Sequence, residues 1–117
     1  MADPGCFLSV RSVNSSTERQ TDMAFIHIAL SEGSTADDVR QVEEKVGPRS
    51  AIEGLRVEAW GVDGDRLRHV TVWESEAHKD RYEAEQLLPV FQALGMASKV
   101  GANTEFITCQ AEGLFIR

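Results

Sequence analysis

The stretch that decides the fold is His69–Gly95, HVTVWESEAHKDRYEAEQLLPVFQALG. Its first residues alternate along an extended chain, which places His69, Thr71 and Trp73 on one face, with Leu67 just before them. Ser75 stands where the alternation stops. A serine there accepts a hydrogen bond from a backbone N–H of a first helical turn, so the spacing predicts a helix from Glu76 to about Ala84. Ala77, Arg81 and Tyr82, then Leu87 and Leu88, give that helix its inner face, and His78 falls on the outer, solvated side. Pro89 breaks the pattern and opens a second, shorter helix, in whose first turn its missing N–H costs little. Leu88, Phe91 and Leu94 form the inner stripe of that helix, and Gly95 stops it.

Upstream, Leu55–Gly61 (LRVEAWG) alternates, with Leu55, Val57 and Ala59 on one face and Arg56, Glu58 and Trp60 on the other. Asp63-Gly64 is a turn signal and Arg66–Glu74 returns as the partner strand, so the pair is predicted to be an antiparallel hairpin. Met23–Leu30 (MAFIHIAL) is short and almost continuously apolar, as expected of a strand buried on both faces. Phe25, His27 and Ala29 share one of those faces. Ser34 or Thr35 caps the next helix, Asp37 and Asp38 stand in its first turn, and Ala36, Val39, Val42 and Val46 recur at helical spacing. Gly47-Pro48 ends it, and Asn103–Gln110 (NTEFITCQ) is a last strand. The order is β-α-β-β-α-(α)-β: a ferredoxin-like α+β arrangement, with a four-stranded antiparallel sheet and helices on one face.

The 117 residues suffice for a single domain, expected over 23–117, after a polar segment, 1–22, that reads as a flexible extension. The net charge of −7 comes from scattered acidic residues, which argues against a nucleic-acid partner because phosphate contacts need clustered Lys and Arg. No apolar run approaches the ~20 residues of a membrane span. No basic region followed by an apolar stretch marks the N-terminus, so a cytoplasmic protein is expected. Cys6 and Cys109 lack metal-ligand spacing and read as reduced thiols.

A sheet with helices on one face leaves its other face bare. Here that face carries large apolar side chains, and apolar patches of several hundred Å² are unusual on a monomer. Packing two such sheets face to face would remove them from water at roughly 25 cal/mol per Å², so a homodimer is expected.

The Val-x-Val-Trp-Glu-Ser strand end, the helix carrying Tyr82 and the Leu-x-Pro-x-x-x-x-Leu-Gly segment together resemble the dimeric α+β-barrel superfamily. More narrowly, they resemble its antibiotic-biosynthesis-monooxygenase-like proteins. The resemblance covers about Met23 to Gln110. It implies a ligand cleft between the sheet and its own helices, and a range of chemistries from cofactor-free oxygenation to lactone isomerisation and haem degradation. The haem-degrading members carry an asparagine on the first strand, then a tryptophan and a histidine on the helix behind the Trp-x-Ser strand. The corresponding places here are His27 or Ile28, Tyr82, and Gln92 or Ala93, and none matches.

Within such a cleft His27 and His69 are candidate general bases, since imidazole exchanges protons near neutral pH. Tyr82 is a candidate hydrogen-bond donor, and Trp60, Trp73 and Phe91 are candidate apolar walls for a small hydrophobic or aromatic ligand. No metal is expected, because the three histidines are widely spaced and no HxH, HxxxH or CxxC occurs. No phosphate-cradling glycine loop occurs either, so no cofactor is expected. Two functions follow: a cofactor-independent monooxygenase-like or isomerase-like enzyme, or a non-catalytic dimer that binds a ligand or partner. The direction of His27 separates them. Toward the helices it favours the enzyme, and toward the bare face the binder.

Overall fold

The computed structural model describes residues 24–98 and 103–116. The extension expected over 1–22, with Cys6, lies outside them. Strands β1 (Phe25–Glu32), β2 (Leu55–Asp63), β3 (Arg66–Trp73) and β4 (Thr104–Gln110) form one sheet in the order β2-β3-β1-β4. Every neighbouring pair is antiparallel. Helix α1 (Ala36–Val46) lies between β1 and β2. Helix α2 (Glu76–Tyr82), a π-helical turn (Glu83–Leu87) and helix α3 (Leu88–Ala93) lie between β3 and β4. This is the ferredoxin-like α+β arrangement that the element order predicts.

Local chemistry sets the element ends. Thr35, rather than Ser34, caps α1: its Oγ1 accepts from the Asp38 N–H at 3.2 Å, and Asp38 Oδ2 accepts from the Thr35 N–H at 3.0 Å. That reciprocal pair satisfies two N–H groups the helix cannot bond internally. Ser75 caps α2, accepting from the His78 N–H at 3.2 Å. The hairpin closes at Asp63–Arg66 with Gly64-Asp65 as its two-residue connection, and Gly64 takes φ 68°, which few other residues tolerate.

Several expectations are corrected. Leu55 and Val57 do not share a face. Leu55 pairs with Trp73 and Val57 with the adjacent Val72, so Arg56 is an extra residue in a β-bulge that inverts the alternation before it. Leu55 therefore packs with Phe25, Ile52 and Trp73 beneath the helices, while Val57 joins Ala24, Val72 and Ala111 on the opposite face.

Second, Pro89 stands in the first turn of the short helix α3, as expected, but does not interrupt the helical path that leads into it. The Leu88 N–H donates to the Glu83 carbonyl, five residues back, and the chain continues into α3. A proline ring crowds the carbonyl four residues earlier, and the widened π turn gives it room.

Third, the inner face of α2 is differently rotated. Ala77 and Arg81 are exposed, and the cleft side carries Lys79, Tyr82 and Glu83. Tyr82 stands there as expected; Lys79 and Glu83 are charged, so hydrophobic periodicity did not reveal them. His78 is not solvated but half-buried, its ring set against the backbone of Gly54.

Along β1, Phe25, His27, Ala29 and Ser31 are buried beneath the helices, whereas Ile26, Ile28 and Leu30 on the other face remain half-exposed in the single chain. Double-sided burial thus does not hold within one chain. Phe25, Ile52 and Trp73 form the main buried cluster, each side chain contributing about 1.5–3 kcal/mol by leaving water. Neither α1 nor the α2–α3 segment contributes a fully buried residue. The helices stand off the sheet, and the intervening space is the cleft.

Candidate functional site

The cleft between sheet and helices has a volume of about 530 Å³. Well-packed proteins hold few voids larger than a water molecule, so a space of this size under three helical segments is the candidate binding site. Its floor is the helix-facing side of the sheet. His27 and His69 both belong to it: His27 pairs with Thr71 and His69 with Ala29, so the two imidazoles are diagonal neighbours on adjacent strands, with backbones about 7–8 Å apart. His27 thus points toward the helices.

His69 is held by a carboxylate. Its Nε2 lies 2.8 Å from Glu58 Oε2, on the neighbouring strand β2. Arg49, from the turn after α1, donates through Nη1 to both Glu58 oxygens at 3.2 and 3.4 Å, and through Nη2 to the Gly47 carbonyl at 3.1 Å. The hydrogen bond from His69 holds the Glu58 carboxyl below its usual range; burial opposes this, and the charges of His69 and Arg49 reinforce it. An ionised Glu58 fixes the His69 tautomer, with Nε2 carrying the shared proton and Nδ1 left as the basic nitrogen.

His27 has a different environment. The residue is 8 % exposed, and its ring stacks on Phe106 with centroids 5.3 Å apart. Burial, helped by the positive charge of Lys79, pushes its pKa down to about 4, so it is neutral at physiological pH. Glu83 Oε2 stands 3.7 Å from its Nε2, and Lys79 Nζ reaches Asp80 at 2.9 Å and Glu83 at 3.4 Å. Burial disfavours the Lys79 ammonium, but these two carboxylates outweigh it and raise its pKa.

Tyr82 packs its ring against Trp73, centroids 5.2 Å apart. Burial raises the phenol pKa against the opposing pull of Arg49, so the hydroxyl keeps its proton and can donate it. Trp73 is 2 % exposed and its Nε1 donates to Thr71 Oγ1 at 2.8 Å, so it is a wall fixed from behind. Phe91 lines the roof.

Of the residues singled out from sequence, His27, His69, Tyr82, Trp73 and Phe91 all meet in this cleft. Trp60 does not. Its Nε1 donates to Glu43 Oε2 at 2.8 Å and Arg40 lies 6.0 Å from its ring centroid, so it fastens α1 to β2 outside the cleft lining. Glu58 and Arg49 escaped sequence reading. Glu58 was recoverable: it shares a face with Trp60, and Trp60 pairs with His69. Arg49 sits on a short turn with no periodicity to reveal it. Among the described residues no cluster of three or more His, Cys, Asp or Glu side chains is placed to hold a metal ion.

No family model matches the sequence, and no curated protein matches it either. Solved structures do. A candidate antibiotic biosynthesis monooxygenase from Chloroflexus aurantiacus superposes with a TM-score of 0.60 at 12 % identity, covering 79 % of this chain and 96 % of its own. SnoaB, a cofactor-independent oxygenase from Streptomyces nogalater, gives 0.56 at 12 % identity, covering 82 % and 99 %. The fold is that of the antibiotic-biosynthesis-monooxygenase-like proteins. A hydroxynitrile lyase from Passiflora edulis shares this monooxygenase-like fold, with a TM-score of 0.56 at 13 % identity over 81 % of this chain and 99 % of its own. The fold therefore hosts more than one chemistry, and the site must carry the functional argument.

Proposed function

We propose that the protein is a cofactor-independent acid–base enzyme, monooxygenase-like or isomerase-like, acting on a small hydrophobic or aromatic metabolite. The observation that carries this is the 2.8 Å His69–Glu58 dyad on the floor of a cleft with mostly apolar walls. His69 Nδ1 takes an acidic C–H or O–H proton from the substrate, and the Glu58 carboxylate stabilises the imidazolium that forms. His27, neutral in its site, donates a hydrogen bond to the developing oxyanion together with the Tyr82 hydroxyl; a neutral imidazole in this role avoids burying another charge. Trp73 and Phe91 hold the ring system in place. The carbanion then either adds dioxygen to give a peroxide, which takes the proton back from His69 and loses water to leave a carbonyl, or is reprotonated elsewhere, and both routes share the first proton transfer. The oxygenase and the lyase among the structural neighbours are compatible with such a shared step.

That shared step supplies the test. Ring ketones and phenols with acidic C–H groups, incubated with the protein in D2O without oxygen, should exchange those protons as read by NMR. His69→Gln should slow exchange by roughly 10²–10⁴-fold. Ligand binding with no exchange in any member of the panel would leave a non-catalytic binding protein. The same reading includes a homodimer, with the half-exposed Ile26, Ile28, Val70 and the exposed Ile107 of the bare sheet face packed against a second copy.

A further inference from the structure

The roof over His27 is one helical path with two unlike halves. The first half presents Lys79, Tyr82 and Glu83 to the cleft, and the second presents Leu87, Leu88 and Phe91. The first half stands over the chemistry. Glu83 Oε2 is 3.7 Å from His27 Nε2, Lys79 Nζ is 3.4 Å from Glu83 Oε1, and the Tyr82 ring packs against Trp73. The second half is apolar.

A regular helix could not aim both halves at one cleft. At 3.6 residues per turn each residue advances the helix by about 100°. The three apolar residues would then point, on average, about 130° away from the three polar ones. Gln86 and Val90 would face inward in their place. The π turn removes the mismatch. The Leu88 N–H bonds the Glu83 carbonyl five residues back, so the turn holds one extra residue. That residue takes back about 100° and brings the two sets to within about 30° of one another.

We infer that the extra residue sets the rotational register of the roof and that Pro89 locks it, which makes Pro89 a positioning residue for the ligand. This rests on the reading of the cleft as the substrate site. Pro89 is itself exposed and outside the cleft lining, so it acts through the turn. In a regular helix residue 89 would donate to the Glu85 carbonyl, but proline has no N–H and its ring collides with that carbonyl. Opening the turn by one residue relieves the collision. Glu85 and Gln86, inside the turn, are exposed and outside the lining, so the added length is spent on the solvent side. In register, a flat ligand meets hydrogen-bonding groups at its reactive end and Leu87, Leu88 and Phe91 along its body.

Crystal structures of variants, with titration of N-phenyl-1-naphthylamine as a neutral apolar probe, test this on the full chain. Pro89→Ala restores the N–H and removes the crowding. Its Leu88 N–H should bond the Ala84 carbonyl, four residues back, and Phe91 should leave the cleft. The probe should bind roughly tenfold more weakly, the share of one apolar wall. Deleting Glu85 together with Pro89→Ala should give a regular helix in the original register, with Phe91 back in the cleft and wild-type affinity recovered. Deleting Glu85 alone keeps the ring and takes away its room, so it should lower the melting temperature, and adding Pro89→Ala should recover that loss. A π turn that survives Pro89→Ala would overturn the locking role. A double variant weaker in affinity or stability than either single one, as independent structural roles predict, would overturn the register. A wild type that does not bind the probe would sink the reading of the cleft, and the crystal structures would still decide the register.

Discussion

His27 and His69 are the same residue type on adjacent strands, and their neighbours give them different work. Glu58 lies within hydrogen-bond distance of His69, whereas His27 is buried against Phe106 with Lys79 nearby. The second environment has a measurable consequence. With a folded pKa near 4 against an ordinary 6.5, His27 binds fewer protons in the folded than in the unfolded protein throughout that window. Stability is therefore highest above pH 6.5 and falls as the pH drops toward 4, by up to roughly 3 kcal/mol from this group. His27→Gln should flatten the decline between those pH values in chemical denaturation, and an unchanged slope would show that other groups cause it. Glu58→Gln should cost roughly 1–3 kcal/mol of stability, because one neutral amide oxygen replaces the two charged acceptors that Arg49 and His69 share, and an amide NH2 is set against their donors. A double-mutant cycle with His69→Gln should return a coupling energy clearly different from zero; additive effects would mean that the two side chains do not act together.

Among the elements, the corner between β3 and α2 depends on close approach. Gly54 holds φ 85°, its carbonyl accepts from the Glu74 N–H at 2.7 Å, and a Cβ added there would lie 2.5 Å from the His78 ring. Gly54→Ala should therefore destabilise by more than the ~1 kcal/mol expected of Thr35→Ala at the α1 cap. Thermal unfolding of the two variants compares them directly, and a milder Gly54→Ala would show that the corner yields. Element types and order were legible in the sequence because alternation, caps and turn residues are local signals. The bulge at Arg56 was not, since an extra residue shows only against its partner strand. The π turn was hidden by Pro89, which reads as a break wherever a widened helix is not considered. Most of the cleft was legible for the same local reason: His27, His69 and Tyr82 stand on faces that periodicity identifies. Trp60 was misassigned because a face places a side chain without saying what it reaches, and here Glu43 claims it.

For the molecule as a whole, the sheet has two unlike sides. One faces the cleft. The other carries half-exposed Ile26, Ile28, Leu30 and Val70, with Ile107 46 % exposed. If a second copy covers this face, Val70→Lys at the centre of the sheet should give a monomer by light scattering at micromolar concentration, and an unchanged oligomer would place the interface elsewhere.

The stand-off of the helices bears on how such a protein can change. Because α1 and the α2–α3 segment bury no side chain fully, they reach the packed cluster of Phe25, Ile52 and Trp73 only through half-buried Val46 and Tyr82. Replacements at Val39, Leu87 and Phe91 would reshape the space above the floor and leave that cluster as it is. The roof is thus free to drift toward new ligands while the floor keeps its proton chemistry, and one scaffold can try many substrates at little risk to its folding.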